Sequence, residues 1–341
     1  MRSANVFLPD FSHIYVEKGA LEFPLTKRLL DRFSASVRVP ILDYKKVFNR
    51  GRQNFQIQKQ SMKLILAVKQ PPFLYPITEI QPSAGYQNHF YATPLINCLY
   101  NCDYCFLQGM YPSGNMVLFV NENDFFSAIV ERLEYGHSSN NPLVISPSYN
   151  TDLMAIEKLV PLTRSWINFC YKTENLVLEF RTKSALFRPL EDITPIPTIL
   201  FAWTLSPKRV IDTHEFGTPN LNRRLKAALG AIKRGWRVRL CFDPVLFYDG
   251  WEQDYAVFLD QVFTTLPADR IEDATLGYFR MNKDFFQRIR KQNPKSPLYY
   301  QSYELHNDVI SLSLEKQKLM HTYLEKVLIK YLPVEKLLFW N

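Results

Sequence analysis

The chain has 341 residues, 47% of them apolar and 14% aromatic against 22% charged, which supplies a sizeable core and excludes both wholesale disorder and a stapled mini-protein. No run approaches the ~18 apolar residues of a membrane span, Met1 to Asp10 lacks the basic-then-apolar build of a secretory leader, and five cysteines do not form a disulfide framework. The expectation is a soluble, cytoplasmic protein. Its net charge of +8 is uneven: residues 1–80 hold 13 Lys/Arg against 6 Asp/Glu, and residues 181–239 hold 12 against 4. Such stretches are either solvated helix faces or a track for a polyanion such as nucleic acid.

In chain order, the first 85 residues read as a basic preface. A short strand lies at Ile14-Tyr15-Val16, a helix at Leu25 to Phe33, and further strands at Val37 to Leu42 and Leu64 to Val68. Pro71-Pro72, Pro76 and Pro82 then form a stiff connection. From residue 86 to 282, strand-like runs alternate with amphipathic stretches. The strands are Asn88 to Thr93, Leu143 to Ser146, Leu176 to Thr182, Thr198 to Ser206, Arg237 to Asp243 and Ala274 to Phe279. Helices are expected from Asn123 to Tyr135, from Asp152 with that acid as N-cap, and from Thr218-Pro219 to a stop at Gly235. Six successive βα units predict an α/β fold, a partial (β/α)6 TIM-type barrel with chemistry at the C-terminal strand ends. Residues 283–341 form a C-terminal extension with a Lys/Pro-rich loop at Lys291 to Pro297, a Tyr-rich segment and a long helix from Ser313 to Tyr331.

Three of the five cysteines, Cys98, Cys102 and Cys105, fall in a CxxxCxxC run just after the first barrel strand. Three thiolates in so tight a loop grip one compact centre, and soft sulfur selects zinc or an iron–sulfur cluster. Structural zinc tends to take two CxxC-like pairs, and the sequence has no second pair; three ligands suit a 4Fe-4S cluster with one iron open. Phosphate-cradling glycine motifs are absent.

With the aromatic Tyr104 between its second and third cysteines, the run resembles the signature of the radical S-adenosylmethionine superfamily. The resemblance implies that the open iron binds the amino and carboxylate groups of S-adenosylmethionine, that Tyr104 packs on the adenine, and that the reduced cluster yields a 5′-deoxyadenosyl radical. The Gly-Gly-Glu element common after the second strand is missing; the sequence there is Ser146-Pro147-Ser148-Tyr149-Asn150-Thr151-Asp152. Further passages resemble the spore photoproduct lyase family, which reverses a methylene-bridged thymine dimer in DNA. They are Ala20 to Leu25, Ala92-Thr93-Pro94, Leu107-Gln108, Val120-Asn121, Thr182-Lys183, Phe216-Gly217-Thr218, Asp243-Pro244 and Asp249 to Glu252. By that resemblance Lys183 and Thr204, with Ser206 and Asp243 behind them, hold S-adenosylmethionine. A lysine at a strand end can neutralise a carboxylate, although Lys183 also suits one more surface cation.

The departures from the family bear on mechanism. Its hydrogen-donating cysteine is replaced in the Ser148 to Asp152 passage, where Tyr149 is either a substitute donor or a packing residue. The relay tyrosine after the third cluster cysteine is Phe106, which has no transferable hydrogen. Cys241 shares a strand face with Asp243 and is either a filler or a thiol facing the barrel interior. The family's basic Gly/Tyr hairpin corresponds to Tyr299 through Asp308, which keeps tyrosines but loses glycine and arginine. The resemblance therefore implies a lyase acting on a nucleic-acid base lesion, with DNA and an electron donor such as flavodoxin or ferredoxin as partners and no membrane. Two rivals remain: a radical enzyme acting on RNA, a peptide or a small molecule, and a non-catalytic, metal-stabilised nucleic-acid-binding protein.

Overall fold

The computed structural model describes residues 10–77, 86–138 and 140–340; Pro82 and the first nine residues lie outside the described residues. The chain opens with β1 (His13–Glu17), α1 (Pro24–Arg32), β2 (Val37–Ile41), α2 (Tyr44–Phe48), α3 (Phe55–Gln60) and β3 (Leu64–Ala67). Next come β4 (Leu74–Pro76), β5 (His89–Ala92), β6 (Leu95–Ile96), β7 (Asn101–Cys102), α4 (Leu107–Met110) and β8 (Met116–Phe119). The N-terminal strands do not make a sheet by themselves: β3 pairs in parallel with β8, giving the order β2-β1-β3-β8-β6. The buried run Leu64-Ile65-Leu66-Ala67 against Met116 to Phe119 thus fastens the preface to the segment that follows the cysteines.

The part of the chain that carries most of the large sheet runs through α5 (Glu122–Leu133), β9 (Leu143–Ser146), α6 (Leu162–Cys170), β10 (Leu176–Thr182), β11 (Ile199–Thr204), α7 (Lys208–His214), β12 (Glu215–Phe216), which pairs apart with β7, α8 (Leu221–Arg234) and β13 (Arg237–Val245). It continues through α9 (Trp251–Thr265) and β14 (Ala274–Tyr278). Then follow β15 (Arg280–Asn282), α10 (Lys283–Gln292), β16 (Glu304–His306), β17 (Val309–Ser311), α11 (Leu314–Leu328) and β18 (Leu337–Trp340). The large sheet has the order β18-β14-β13-β11-β10-β9-β5-β4, with every neighbouring pair parallel except β4 and β5. The result is a partial barrel, open between β4 and β18. Strands such as β9 and β11 are apolar without alternation and buried throughout, as expected where helices cover one face and the barrel interior the other.

All six expected barrel strands form, β9 and β10 with the expected bounds. Helix α8 takes its N-cap from Asn220, whose side chain accepts from the Arg223 N–H, and stops at left-handed Gly235 (φ 95°). Asp152 behaves differently from the expectation. Its carboxylate accepts from the Ala155 N–H at 3.1 Å, but the turn it opens is a short 3-10 segment at Met154–Ile156, and α6 begins only after Pro161. The terminal strand β18 and helix α10 were not anticipated. Gly109 on α4 lets α10 approach closely, since a Cβ there would stand 2.4 Å from the Cβ of Phe285. Among the described residues no helix is long and apolar enough to cross a membrane.

Candidate active site

The cysteine run leaves β6 through Asn97, held in the left-handed region at φ 68°; its amide donates to the carbonyls of Ser113 (2.8 Å) and Asn115 (2.6 Å). β7 then pairs antiparallel with β12, placing Cys102 opposite Glu215. Gln108 donates to the Cys102 carbonyl at 2.6 Å, and Lys59 of α3 donates to that of Cys98. Asp103 is gripped from the C-terminal extension: Asn293 and Ser296 donate to its carboxylate at 2.9 and 2.7 Å, and the Tyr299 phenol donates to its carbonyl. The loop that carries the thiols is thereby fixed by backbone and side-chain bonds on three sides.

Cys98, Cys102 and Cys105 line one wall of a cavity of about 490 Å³ at the C-terminal ends of the barrel strands. Burial pushes the Cys98 thiol up to about 12, with the Asp152 carboxylate adding to it, and burial also raises Cys102 and Cys105. Facing them are Tyr149, Asp152, Lys183, Thr204 and Asp243. The Lys183 ammonium lies 5.2 Å over the ring of Tyr104, while the Lys183 N–H and the Thr182 hydroxyl both donate to Asp152 at 2.8 Å. Asp152 is therefore the brace that holds the end of β10. Asp243 is bridged by Arg181 (3.5 Å) and Arg280 (3.3 Å). Tyr149 packs its ring on Tyr91, centroids 4.6 Å apart, and on Phe106 at 5.4 Å.

Two expected residues do not join the cavity wall. The Ser206 hydroxyl donates to Glu215 at 2.9 Å, and Cys241, fully buried, has Arg181 and Glu179 as charged neighbours in the barrel interior. The C-terminal tyrosines are also mostly spoken for. Tyr299 is buried, Tyr303 packs on Phe279 and Phe286, and only Tyr300 is well exposed. The hairpin itself is present, β16 to β17, turning at Asn307 and Asp308 with positive φ.

Glu215 was not anticipated. Its carboxylate accepts from Tyr104, Ser206 and Arg224, and it and Arg224 are both wholly buried. Burial alone would push this carboxyl up, but Arg224 and then Lys183 outweigh it and hold the group below its usual range. No spacing motif marks Glu215: Ser206 and Arg224 lie nine residues to either side of it, and Tyr104 is 111 residues away.

The sequence model of one family, spore photoproduct lyase, matches residues 7–336. The chain belongs to the spore photoproduct lyase family. That family sits in the radical S-adenosylmethionine superfamily. The spore photoproduct lyase of Bacillus subtilis (strain 168) is 26% identical over 302 residues, 86% of this chain and 85% of the relative. The lyase of Geobacillus sp. (strain Y412MC61) is 25% identical over 299 residues, covering 86% and 84%. Among solved structures, a spore photoproduct lyase double mutant with bound AdoMet and dinucleoside spore photoproduct superposes with a TM-score of 0.83 at 19% identity, covering 99% of both chains. A spore photoproduct lyase complexed with the dinucleoside spore photoproduct gives 0.82 at 19% identity, again over 99% of both. The partial barrel of this chain is the fold of those lyases.

Proposed function

We propose that this protein is a radical S-adenosylmethionine lyase that reverses a thymine-derived lesion in DNA. The observation that carries the reading is the convergence of three thiols, Cys102 buried and Cys98 and Cys105 half-buried, and of Lys183 on one cavity in a chain of this family. The donor set suits a 4Fe-4S cluster: three soft sulfurs from one loop, each able to take one iron. Bound there, the cluster and S-adenosylmethionine supply a carbon-centred radical.

The chain's own residues do the rest. Cys98, Cys102 and Cys105 are the metal ligands. Lys183 meets the carboxylate of S-adenosylmethionine, braced by Asp152, and Tyr104 offers a ring face for the adenine while Glu215 fixes its phenol. Thr204 and Asp243 line the same wall and complete the polar contacts, with Ser206 acting through Glu215. Tyr149, on the cavity wall where the family carries its donor thiol, returns a hydrogen atom from its phenol to the substrate radical, and the phenoxyl radical left on Tyr149 takes one electron from the electron donor and one proton to restore the phenol. Cys241 stands behind Arg181 and Glu179 and is the reserve donor only if that layer opens. DNA is the polyanionic partner in this reading.

Anaerobic reconstitution of the wild type and of Cys102→Ala tests it. The wild type should bind about four irons, turn brown and cleave S-adenosylmethionine when reduced, and the variant should lose most of its iron. Colourless wild-type protein carrying a single zinc would contradict the reading.

A further inference from the structure

The sequence from residue 42 to residue 63 contains six Lys/Arg and a single acid, Asp43, whose carboxylate caps α2. These residues form α2, the turn after it and α3. Lys45, Lys46, Arg50 and Arg52 are exposed, and so are the apolar side chains of Leu42 (78%) and Ile57 (64%). A cationic rim around a few exposed apolar groups is the composition of a small, transient protein-docking surface.

The inner side of the same segment rests on the cysteine loop. Lys59 donates to the Cys98 carbonyl, Gln56 donates to Gln108 at 2.6 Å and accepts from Asn101 at 2.8 Å, and Gln58 accepts from the Gly114 N–H at 2.7 Å. The approach is close: a Cβ on Gly114 would stand 2.7 Å from the Phe55 carbonyl oxygen. Yet no residue between 44 and 63 lines the active-site cavity. The α3 end of the patch therefore rests on the cysteine loop at Cys98, while α2 packs on β1 and β3, and the segment lies outside the lining of the chamber that takes substrate.

We propose that the α2–α3 surface is the docking site of an acidic one-electron carrier protein, which reduces the iron–sulfur group held by Cys98, Cys102 and Cys105. This rests on the iron–sulfur reading above. One electron leaves the carrier's reduced flavin or iron–sulfur centre and enters the group at the three thiols; the carrier is oxidised by one, the acceptor is reduced by one, and no bond is made or broken. Electron transfer weakens steeply with distance, so a carrier gains by seating where a single helix separates it from the ligands. A nucleic acid gains nothing there, because a strand laid on this patch presents no base to the cavity. Cation-to-anion complementarity speeds encounter and leaves the contact weak enough for release.

The test is the rate at which flavodoxin hydroquinone bleaches the visible absorption of the oxidised, iron-loaded protein under anaerobic conditions, with dithionite as a small reductant that needs no docking surface. Reversal of the exposed patch in the combined variant Lys45→Glu, Lys46→Glu, Arg50→Glu and Arg52→Glu should slow the flavodoxin reaction about tenfold or more at low ionic strength and flatten its salt dependence. Iron content and the dithionite rate should stay within about twofold of wild type. The α8 control, Lys226→Glu, Lys233→Glu and Arg234→Glu on exposed positions of α8 together with exposed Lys172→Glu, makes the same change in net charge and should leave the flavodoxin rate unchanged. An unchanged flavodoxin rate in the patch variant overturns the proposal, and so does an equal loss in the α8 control. Loss of DNA affinity in the patch variant with an unaltered flavodoxin rate assigns the surface to nucleic acid instead. Wild-type protein that takes up no iron contradicts the iron–sulfur reading itself, and this inference falls with it.

Discussion

The phenol of Tyr104 donates a hydrogen bond to the wholly buried carboxylate of Glu215, which is also paired with the equally buried Arg224. The contact ties the cysteine loop to β12 and fixes a ring that lies under the Lys183 ammonium. Removing Glu215 strands the Arg224 charge in the interior, a loss of about 3–5 kcal/mol, whereas Tyr104→Phe removes one hydrogen bond and leaves the ion pair, about 1 kcal/mol. Urea unfolding of Glu215→Ala and Tyr104→Phe should show that ranking. Equal losses would mean that the ion pair is not the main support of this corner.

Lys183 should govern cofactor affinity. A charge-assisted contact to a carboxylate is worth about 1.5–3 kcal/mol, so Lys183→Met should weaken S-adenosylmethionine binding to the iron-loaded protein roughly tenfold to a hundredfold. Equilibrium dialysis measures it. Unaltered affinity would return Lys183 to the status of one more surface cation.

Tyr149→Phe separates radical generation from hydrogen return. With the ring kept against Tyr91 and Phe106, packing survives and only the phenol O–H is lost. The variant should still form 5′-deoxyadenosine from S-adenosylmethionine but release little repaired product, while Cys241→Ala should repair like wild type. The opposite pattern would make Cys241 the donor.

Glu122 on α5 supplies a pH test remote from the chemistry. Burial raises its carboxyl from 4.5 to about 7, despite a 2.5 Å hydrogen bond from Ser165. The folded state therefore binds more protons than the unfolded chain across that window, and stability falls as pH rises from 4.5 to about 7. Glu122→Gln removes the charged form, so its urea midpoint should decline less over the same window. Parallel curves for the two proteins would contradict this assignment.

Gly109→Ala should prise α10 from α4. The added methyl meets Phe285 at 2.4 Å, and overpacking of this kind costs about 1–3 kcal/mol. Because α10 leads to Asn293 and Ser296, which hold Asp103, the variant should also lose iron faster than wild type when challenged with a chelator. Normal stability and normal iron retention would show that α10 can shift without disturbing the cysteine loop.

How far the sequence could be read depended on whether the deciding contacts were local. β9 and β10 were legible because their apolar runs are buried on both faces and punctuated at the ends, Pro142 preceding the first. The thiol triplet was legible because one loop carries it. β18 was not, since four residues at the chain end become a strand only by pairing with β14. The Asp152 helix failed because that carboxylate is recruited across the barrel by Thr182 and Lys183. Cys241 lies on β13 and Ser206 just past the end of β11, but their surroundings are set by Glu215, Arg181 and Glu179, which no spacing rule brings together. From composition alone the basic preface suited either solvated helix faces or a phosphate track; the contacts of α3 with the cysteine loop connect it to the thiol loop.

The most direct measurement of the central claim is an anaerobic reaction of the reduced, reconstituted protein with S-adenosylmethionine and a dinucleotide bearing the methylene-bridged thymine lesion, following 5′-deoxyadenosine and the repaired thymine dinucleotide together. The account predicts both products from wild type and neither from Cys102→Ala. Formation of 5′-deoxyadenosine with an untouched lesion, across repeated turnovers, would contradict it and give the site a different substrate.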